Sequence, residues 1–194
     1  MPTFIPPDSA KASPGALLKW AAENDIVELD LRFVDIRGIT QHFSMPMSMV
    51  KEDDFEDGFG FDGSSVRGFQ TINVSDMILI ADISTALVDP FFKYKTLAIK
   101  CDVVDPITKE PYANDPRGVA RRAEAYLKES GVADTAFFGP EAEFFMFSNV
   151  RYEVGPNISY YEVDSHEGFW NTASVDPTMS YLNRIKEGYF PLPP

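Results

Sequence analysis

Ile26-Val27-Glu28-Leu29-Asp30-Leu31-Arg32-Phe33-Val34-Asp35-Ile36-Arg37-Gly38 is the stretch on which the fold turns. Val27, Leu29, Leu31 and Phe33 recur at every second position, the period of a strand with one buried face. Asp35 to Gly38 reads as a turn, and Ile39 to Met45 returns as a second strand, making a hairpin. Upstream, Ser13-Pro14 is a strong helix start, with Ser as N-cap and Pro in the first turn. Ala16 to Ala22 is helix-favouring and amphipathic, and Asn24-Asp25 ends it. Downstream lie two apolar runs, Met77 to Asp82 and Thr96 to Val104, with Asp89-Pro90 between them. A helix, a hairpin and further strands predict a small α+β domain ending near Asp105-Pro106.

Asp115-Pro116 starts a second helix with Val119, Ala123, Tyr126 and Leu127 on one face, closed by Gly131. Thr135 to Phe147 reads as a strand, and isolated strand-like pieces follow from Ser148. No further helix is evident to cover that strand, so the second domain is expected to be incomplete within these residues.

The chain has 194 residues, 44% hydrophobic, with 16 Phe and 8 Tyr, which is enough for a sizeable core. A formal net charge of −13 with no Lys or Arg cluster argues against nucleic-acid binding. The single cysteine, Cys101, sits in an apolar run and reads as a buried strand residue in a reducing compartment. No secretory signal and no membrane-length apolar run is present, so a cytoplasmic protein without membrane contact is expected.

Two segments carry chemistry. Glu141 and Glu143, in Phe138-Gly139-Pro140-Glu141-Ala142-Glu143-Phe144-Phe145, would project from one face of a strand among bulky aromatics. Like charges buried together call for cations, and carboxylates suit Mg²⁺ or Mn²⁺; the alternative is an exposed strand face turned to water. The second segment, Gly58 to Phe69, holds four glycines and the run Phe61-Asp62-Gly63-Ser64-Ser65. Its Asp62 reads either as a cation or proton acceptor or as the anchor of a plain turn. His42 and His166 have no second ligand at metal spacing and read as structural.

In order and spacing these segments resemble the N-terminal part of bacterial class I glutamine synthetases. The likeness runs through Val34-Asp35-Ile36-Arg37-Gly38, Phe61-Asp62-Gly63-Ser64-Ser65, Ser75-Asp76-Met77, Asp89-Pro90-Phe91 and Asp115-Pro116-Arg117. It continues through Phe138 to Phe144, Tyr161-Glu162-Val163-Asp164, Trp170-Asn171-Thr172 and Gly188-Tyr189-Phe190-Pro191. The resemblance implies an N-terminal arm and helix (1–21), a β-grasp domain (22–108) and the incomplete start of the α/β catalytic domain (109–194). It implies an ATP-dependent ligase of glutamine biosynthesis, joining ammonia to glutamate through γ-glutamyl phosphate, with two Mg²⁺ or Mn²⁺ ions per site. Glu141 and Glu143 match metal ligands, and Asp62, Ser65 and Tyr189 match the ammonium pocket, with Asp62 also the proton acceptor. In such a double hexamer Asp62 and Ser65 serve the neighbouring subunit, so this piece alone is expected to be inactive. The alternatives are a γ-glutamyl-amine (polyamine) ligase of the same superfamily, or a non-catalytic β-grasp module that associates with a full-length synthetase.

Overall fold

The Ser13 hydroxyl accepts the Ala16 N–H at 3.2 Å and so starts helix α1 (Pro14–Glu23), whose first position is a proline. Asn24 closes the helix by donating its side-chain amide to the Trp20 carbonyl at 2.8 Å. Leu17 and Ala21, one turn apart, form the fully buried stripe that rests in the core. These coordinates are a computed structural model that describes residues 4–165, in two compact units, Met1–Phe137 and Phe138–Pro194.

The first unit carries a mixed sheet. Its strands are β1 (Glu28–Val34), β2 (Thr40–Pro46), β3 (Phe59–Asp62), β4 (Asp76–Ala81), β5 (Leu87–Asp89) and β6 (Thr96–Val104). The order is β2-β1-β6-β4-β3, with β5 also paired to β6. The expected hairpin is β1–β2, in a register that sets Leu31 opposite Phe43. β6 runs parallel to β1 and antiparallel to β4 and β5. As the central strand it is apolar almost throughout: Leu97, Ala98, Ile99, Cys101 and Val103 are all buried. One helical turn, α2 (Asp54–Asp57), sets Phe55 edge-on against Phe59 at 5.8 Å. The result is an α+β domain of the β-grasp kind. No helix among the described residues is long and apolar enough to cross a membrane.

The expected two-residue period holds for Leu29, Leu31 and Phe33 and fails at two positions. Val27 is exposed, whereas Asp30, on the opposite face, is completely buried. Asp30 is tolerated because three donors reach it: Arg32 Nε at 2.6 Å, His42 Nδ1 at 2.6 Å and Ser44 Oγ at 2.8 Å. Burial alone would raise its carboxyl pKa, but His42, Arg32 and Ser44 outweigh burial and the net shift is downward. His42 is thus a structural histidine, as its isolation in the sequence implied.

Asp35 closes the β1–β2 turn. It accepts from Arg37 Nη2 at 2.7 Å, the Ile39 N–H at 3.1 Å and Gln41 Nε2 at 3.0 Å. The Arg37 contact is the main reason its carboxyl is held at about 2, below the ordinary 3.8. A depressed carboxylate pKa contributes stability that is full above the ordinary value and lost as pH falls toward the folded one. Between pH 4 and 2 the unfolding midpoint in urea should fall more steeply for the native chain than for Asp35→Asn. Parallel curves would dismiss this reading.

Cys101 lies fully inside β6, and burial pushes its thiol up to about 12. A disulfide reagent at pH 8 should therefore label the native chain only at the rate of unfolding, and urea should make labelling immediate. Rapid labelling of the folded chain would contradict a buried thiol.

Helix α3 (Pro116–Glu129) begins where the sequence indicates. Asp115 is buried, caps the helix through the Arg117 N–H at 3.1 Å, and also accepts the Val103 N–H of β6 at 3.2 Å. Two arginines of the first turns reinforce the docking. Arg117 pairs with Asp82 and, at 2.8 Å, with Asp102, while Arg121 reaches Asp102 at 2.9 Å. The apolar face expected on this helix is present but uncovered among the described residues, with Val119 48% and Tyr126 71% exposed.

The strand expected over Thr135–Phe147, residues shared between the end of the first unit and the start of the second, is not formed. In the second unit the described strands are β7 (Asn149–Gly155) and β8 (Ile158–Asp164), an antiparallel hairpin in which Arg151 faces Glu162 at 3.0 Å. The physical reason is pairing. Residues 135–147 have no neighbouring strand among the described residues, and Phe144 and Phe145 are 79% and 85% exposed, so the apolar pattern has nothing to bury against.

Candidate functional site

Asp62 is the last residue of β3 and stands directly across from Asp76 of β4. Two acidic residues in register at one end of a sheet make that end locally negative. Gly63 follows, buried, with its N–H on the Ser75 carbonyl at 2.7 Å. A Cβ there would come within 2.4 Å of the Met77 sulfur and 3.0 Å of the Ser75 carbonyl oxygen, so any other residue would force the buried Met77 side chain to shift. The next residues coil into one 3-10 turn, Gly63–Ser65.

Asp62 organises that turn. One carboxylate oxygen accepts the Ser64 N–H at 2.8 Å and the Ser64 hydroxyl at 2.6 Å; the other accepts the Ser65 hydroxyl at 3.1 Å. The Ser64 contacts are the main cause of a carboxyl pKa below its ordinary value. Asp62 is therefore an exposed anion at neutral pH, suited to hold a small cation. The same hydrogen bonds make it a weak base until Ser64 lets go. The turn-anchoring reading of Asp62 is thus met by its bonds to Ser64 and Ser65, which leave its carboxylate exposed and charged.

Behind the loop the packing is dense. Phe33 lies 4.8 Å from Phe61 and 6.0 Å from Phe69, ring centre to ring centre, and Val66 and Phe69 are buried. Asp62 and Ser65 open onto a cavity of about 430 Å³ that is also lined by Phe33, Gln41, His42 and Phe61. The space is open to solvent, with one anion, Asp62, at its rim and aromatic rings beside it.

Of the residues singled out in the sequence, Asp62 and Ser65 are brought into contact. Glu141 and Glu143 belong to the second unit, outside any strand and exposed, so the shared strand face expected for them is not present. Carboxylate oxygens are the donors that Mg²⁺ and Mn²⁺ prefer, but each ion takes about six ligands. No cluster of three or more His, Cys, Asp or Glu suited to a metal forms among the described residues. The pair fits such ions by donor type and not by number. Tyr189 lies outside the described residues, as does His166.

Sequence reasoning missed Tyr112. Its hydroxyl donates to the Phe69 carbonyl at 2.7 Å, and its ring lies 5.2 Å from that of Phe69. No local pattern marks it, because its partner is 43 residues away. The Arg117 and Arg121 pairs with Asp82 and Asp102 were missed for the same reason.

Comparison with known proteins adds the family. A model described as glutamine synthetase, beta-Grasp domain, matches residues 25–106, and one described as glutamine synthetase, catalytic domain, matches residues 113–194. A glutamine synthetase of Streptomyces filamentosus is 51% identical over 176 residues, covering 91% of this chain and 37% of its own length. One of Frankia alni is 49% identical over 180 residues, with 92% and 38% covered. The chain thus spans less than two-fifths of these curated relatives. Among solved structures, a Plasmodium falciparum glutamine synthetase superposes with a TM-score of 0.62 at 22% identity. The match covers 86% of this chain and 33% of that one, a likeness of fold.

Proposed function

Because the chain belongs to the glutamine synthetase family, we propose that it supplies the ammonium-binding portion of an ATP-dependent ligase that joins ammonia to glutamate. The observation that carries this reading is the Asp62 carboxylate, ionised, exposed and held beside Ser65 at the mouth of a small cavity. In this reading the β-grasp domain occupies 22–108, after the arm and helix of 1–21, and the catalytic domain opens at 109.

Asp62 captures ammonium by charge, and Ser65 shares its orientation. Release of the Ser64 donors then raises the basicity of Asp62, so that it takes a proton and leaves neutral ammonia to attack the acyl carbon of a γ-glutamyl phosphate, forming the amide as the C–O bond breaks and phosphate departs. Tyr189 completes the pocket. Glu141 and Glu143 would offer two carboxylates of a larger ligand set to Mg²⁺ or Mn²⁺, and such ions would supply neutralisation of phosphate charge. The assembly is a cytoplasmic homo-oligomer, a double hexamer, in which Asp62 and Ser65 face a neighbour's site.

The test replaces the matching N-terminal segment of the Streptomyces filamentosus protein with residues 1–194 of this chain. The purified chimera should release phosphate from ATP only when both glutamate and ammonium are present, whereas residues 1–194 alone should not. An assembled chimera that prefers polyamines, or that is inert with ammonium, refutes the ammonium reading. Glutamine formation by residues 1–194 alone refutes the need for the part of the relatives that this chain does not match.

A further inference from the structure

We infer that Tyr112 is a positioning residue that ties the order of the Asp62–Ser65 loop to the docking of helix α3. The physical link stands on geometry alone; its consequence for ammonium rests on the function proposed above.

Tyr112 is fixed along its own backbone. Its N–H donates to the Val103 carbonyl at 2.9 Å, and its carbonyl accepts the Asp115 N–H at 3.1 Å. Asp115 in turn holds the Val103 N–H through its side chain and caps α3. Wherever the first turn of α3 sits on β6, Tyr112 goes with it. Its side chain then crosses to the loop: the hydroxyl donates to the Phe69 carbonyl and accepts from Asn114 Nδ2 at 3.3 Å.

Phe69 is the right place to grip. Its N–H bonds the Val66 carbonyl at 3.0 Å, and the next residue, Gln70, donates back to the Gly63 carbonyl at 3.4 Å. The loop is thus a closed ring whose start adjoins Asp62 and whose end is held by Tyr112. Tyr112 also lies in the short gap between the two family matches, which end at 106 and resume at 113. A residue in that seam is placed to report the position of the second domain's first helix to a loop of the first domain.

The experiment is amide hydrogen exchange on the full 194-residue chain. Tyr112→Phe keeps the ring beside Phe69 and deletes one hydrogen bond. The Val66, Phe69 and Gln70 amides should then exchange about fivefold faster, the ratio a single neutral hydrogen bond carries, with β1 and β6 amides unchanged. Unchanged loop exchange overturns the inference, and so does equal acceleration of loop and sheet, which marks a global loss of stability.

A second variant tests the coupling. Arg121→Ala loosens α3, since Arg121 pairs with Asp102 and is itself 55% exposed. It should speed loop exchange about twofold when Tyr112 is present and leave it unaltered in Tyr112→Phe. Equal effects in both backgrounds overturn the link. In the chimera, Tyr112→Phe should raise the ammonium KM about fivefold, with kcat and the glutamate KM within about twofold. A loss confined to kcat overturns the positioning role. A chimera that never uses ammonium instead refutes the functional reading and leaves the exchange result standing.

Discussion

Replacing Asp62 by asparagine should lower kcat/KM for ammonium in the chimera by about 10²–10³-fold at saturating ATP and glutamate. The substitution separates charge from shape. An asparagine Oδ1 still accepts the Ser64 N–H and hydroxyl that shape the 3-10 turn, so the loop keeps its form. What disappears is the anion proposed to attract ammonium and take its proton. The Asp62 carboxyl is held below its ordinary pKa chiefly by Ser64, so the native residue remains ionised throughout the neutral range. The ammonium dependence should therefore show no titration of Asp62 until the pH drops below the ordinary carboxylate value. Ser64→Ala, which removes one of the donors, should move that titration upward. A loss of less than about threefold in Asp62→Asn, with the loop intact by exchange, would remove Asp62 from the chemistry.

Asp115→Ala should destabilise the first unit by about 2–4 kcal/mol, because one carboxylate serves two elements at once. It is the N-cap of α3, and loss of a cap costs about 1 kcal/mol. It also accepts the Val103 N–H in the interior, and stranding a buried donor costs about 1–3 kcal/mol more. Asp115→Asn keeps an acceptor oxygen and should lose less than half as much. Urea unfolding followed by tryptophan fluorescence reads both, since Trp20 is packed against the core. If alanine costs no more than asparagine, the double role assigned to Asp115 is wrong. Loss of α3 docking should also free Tyr112, so Asp115→Ala should accelerate loop exchange as Tyr112→Phe does.

The two effects differ in legibility. The turn at Asp62 was readable because its motif is contiguous, an aspartate, a glycine and two hydroxyl residues that bond back, whereas strand β3 before it lies in a glycine-rich stretch that reads as an irregular loop. The cap role of Asp115 was equally plain, being a local Asp-Pro signal. Its bond to Val103 was not, since nothing in the sequence says that α3 begins beside β6. The strand expected beneath Glu141 and Glu143 failed in the opposite direction. Their spacing is that of a strand face, but a strand exists only with a partner, and residues 135–147 have none among the described residues.

The sequence alone determined what depends on near neighbours. The Ser13 cap and the two-residue period of Leu29, Leu31 and Phe33 placed α1 and β1, and the turn at Asp35 placed β2. The ordered run of motifs identified the family. Tertiary structure decided what depends on contact between distant residues. Asp30 is buried and satisfied only because β2 lays His42 and Ser44 against it, and Arg32 reaches both Asp30 and the distant Asp89. The Asp62 loop is held from behind by a tyrosine 43 residues from its partner. Backbone propensities and caps act over a few residues and leave a readable pattern. Burial and hydrogen-bond partnership are properties of the folded surface and leave none.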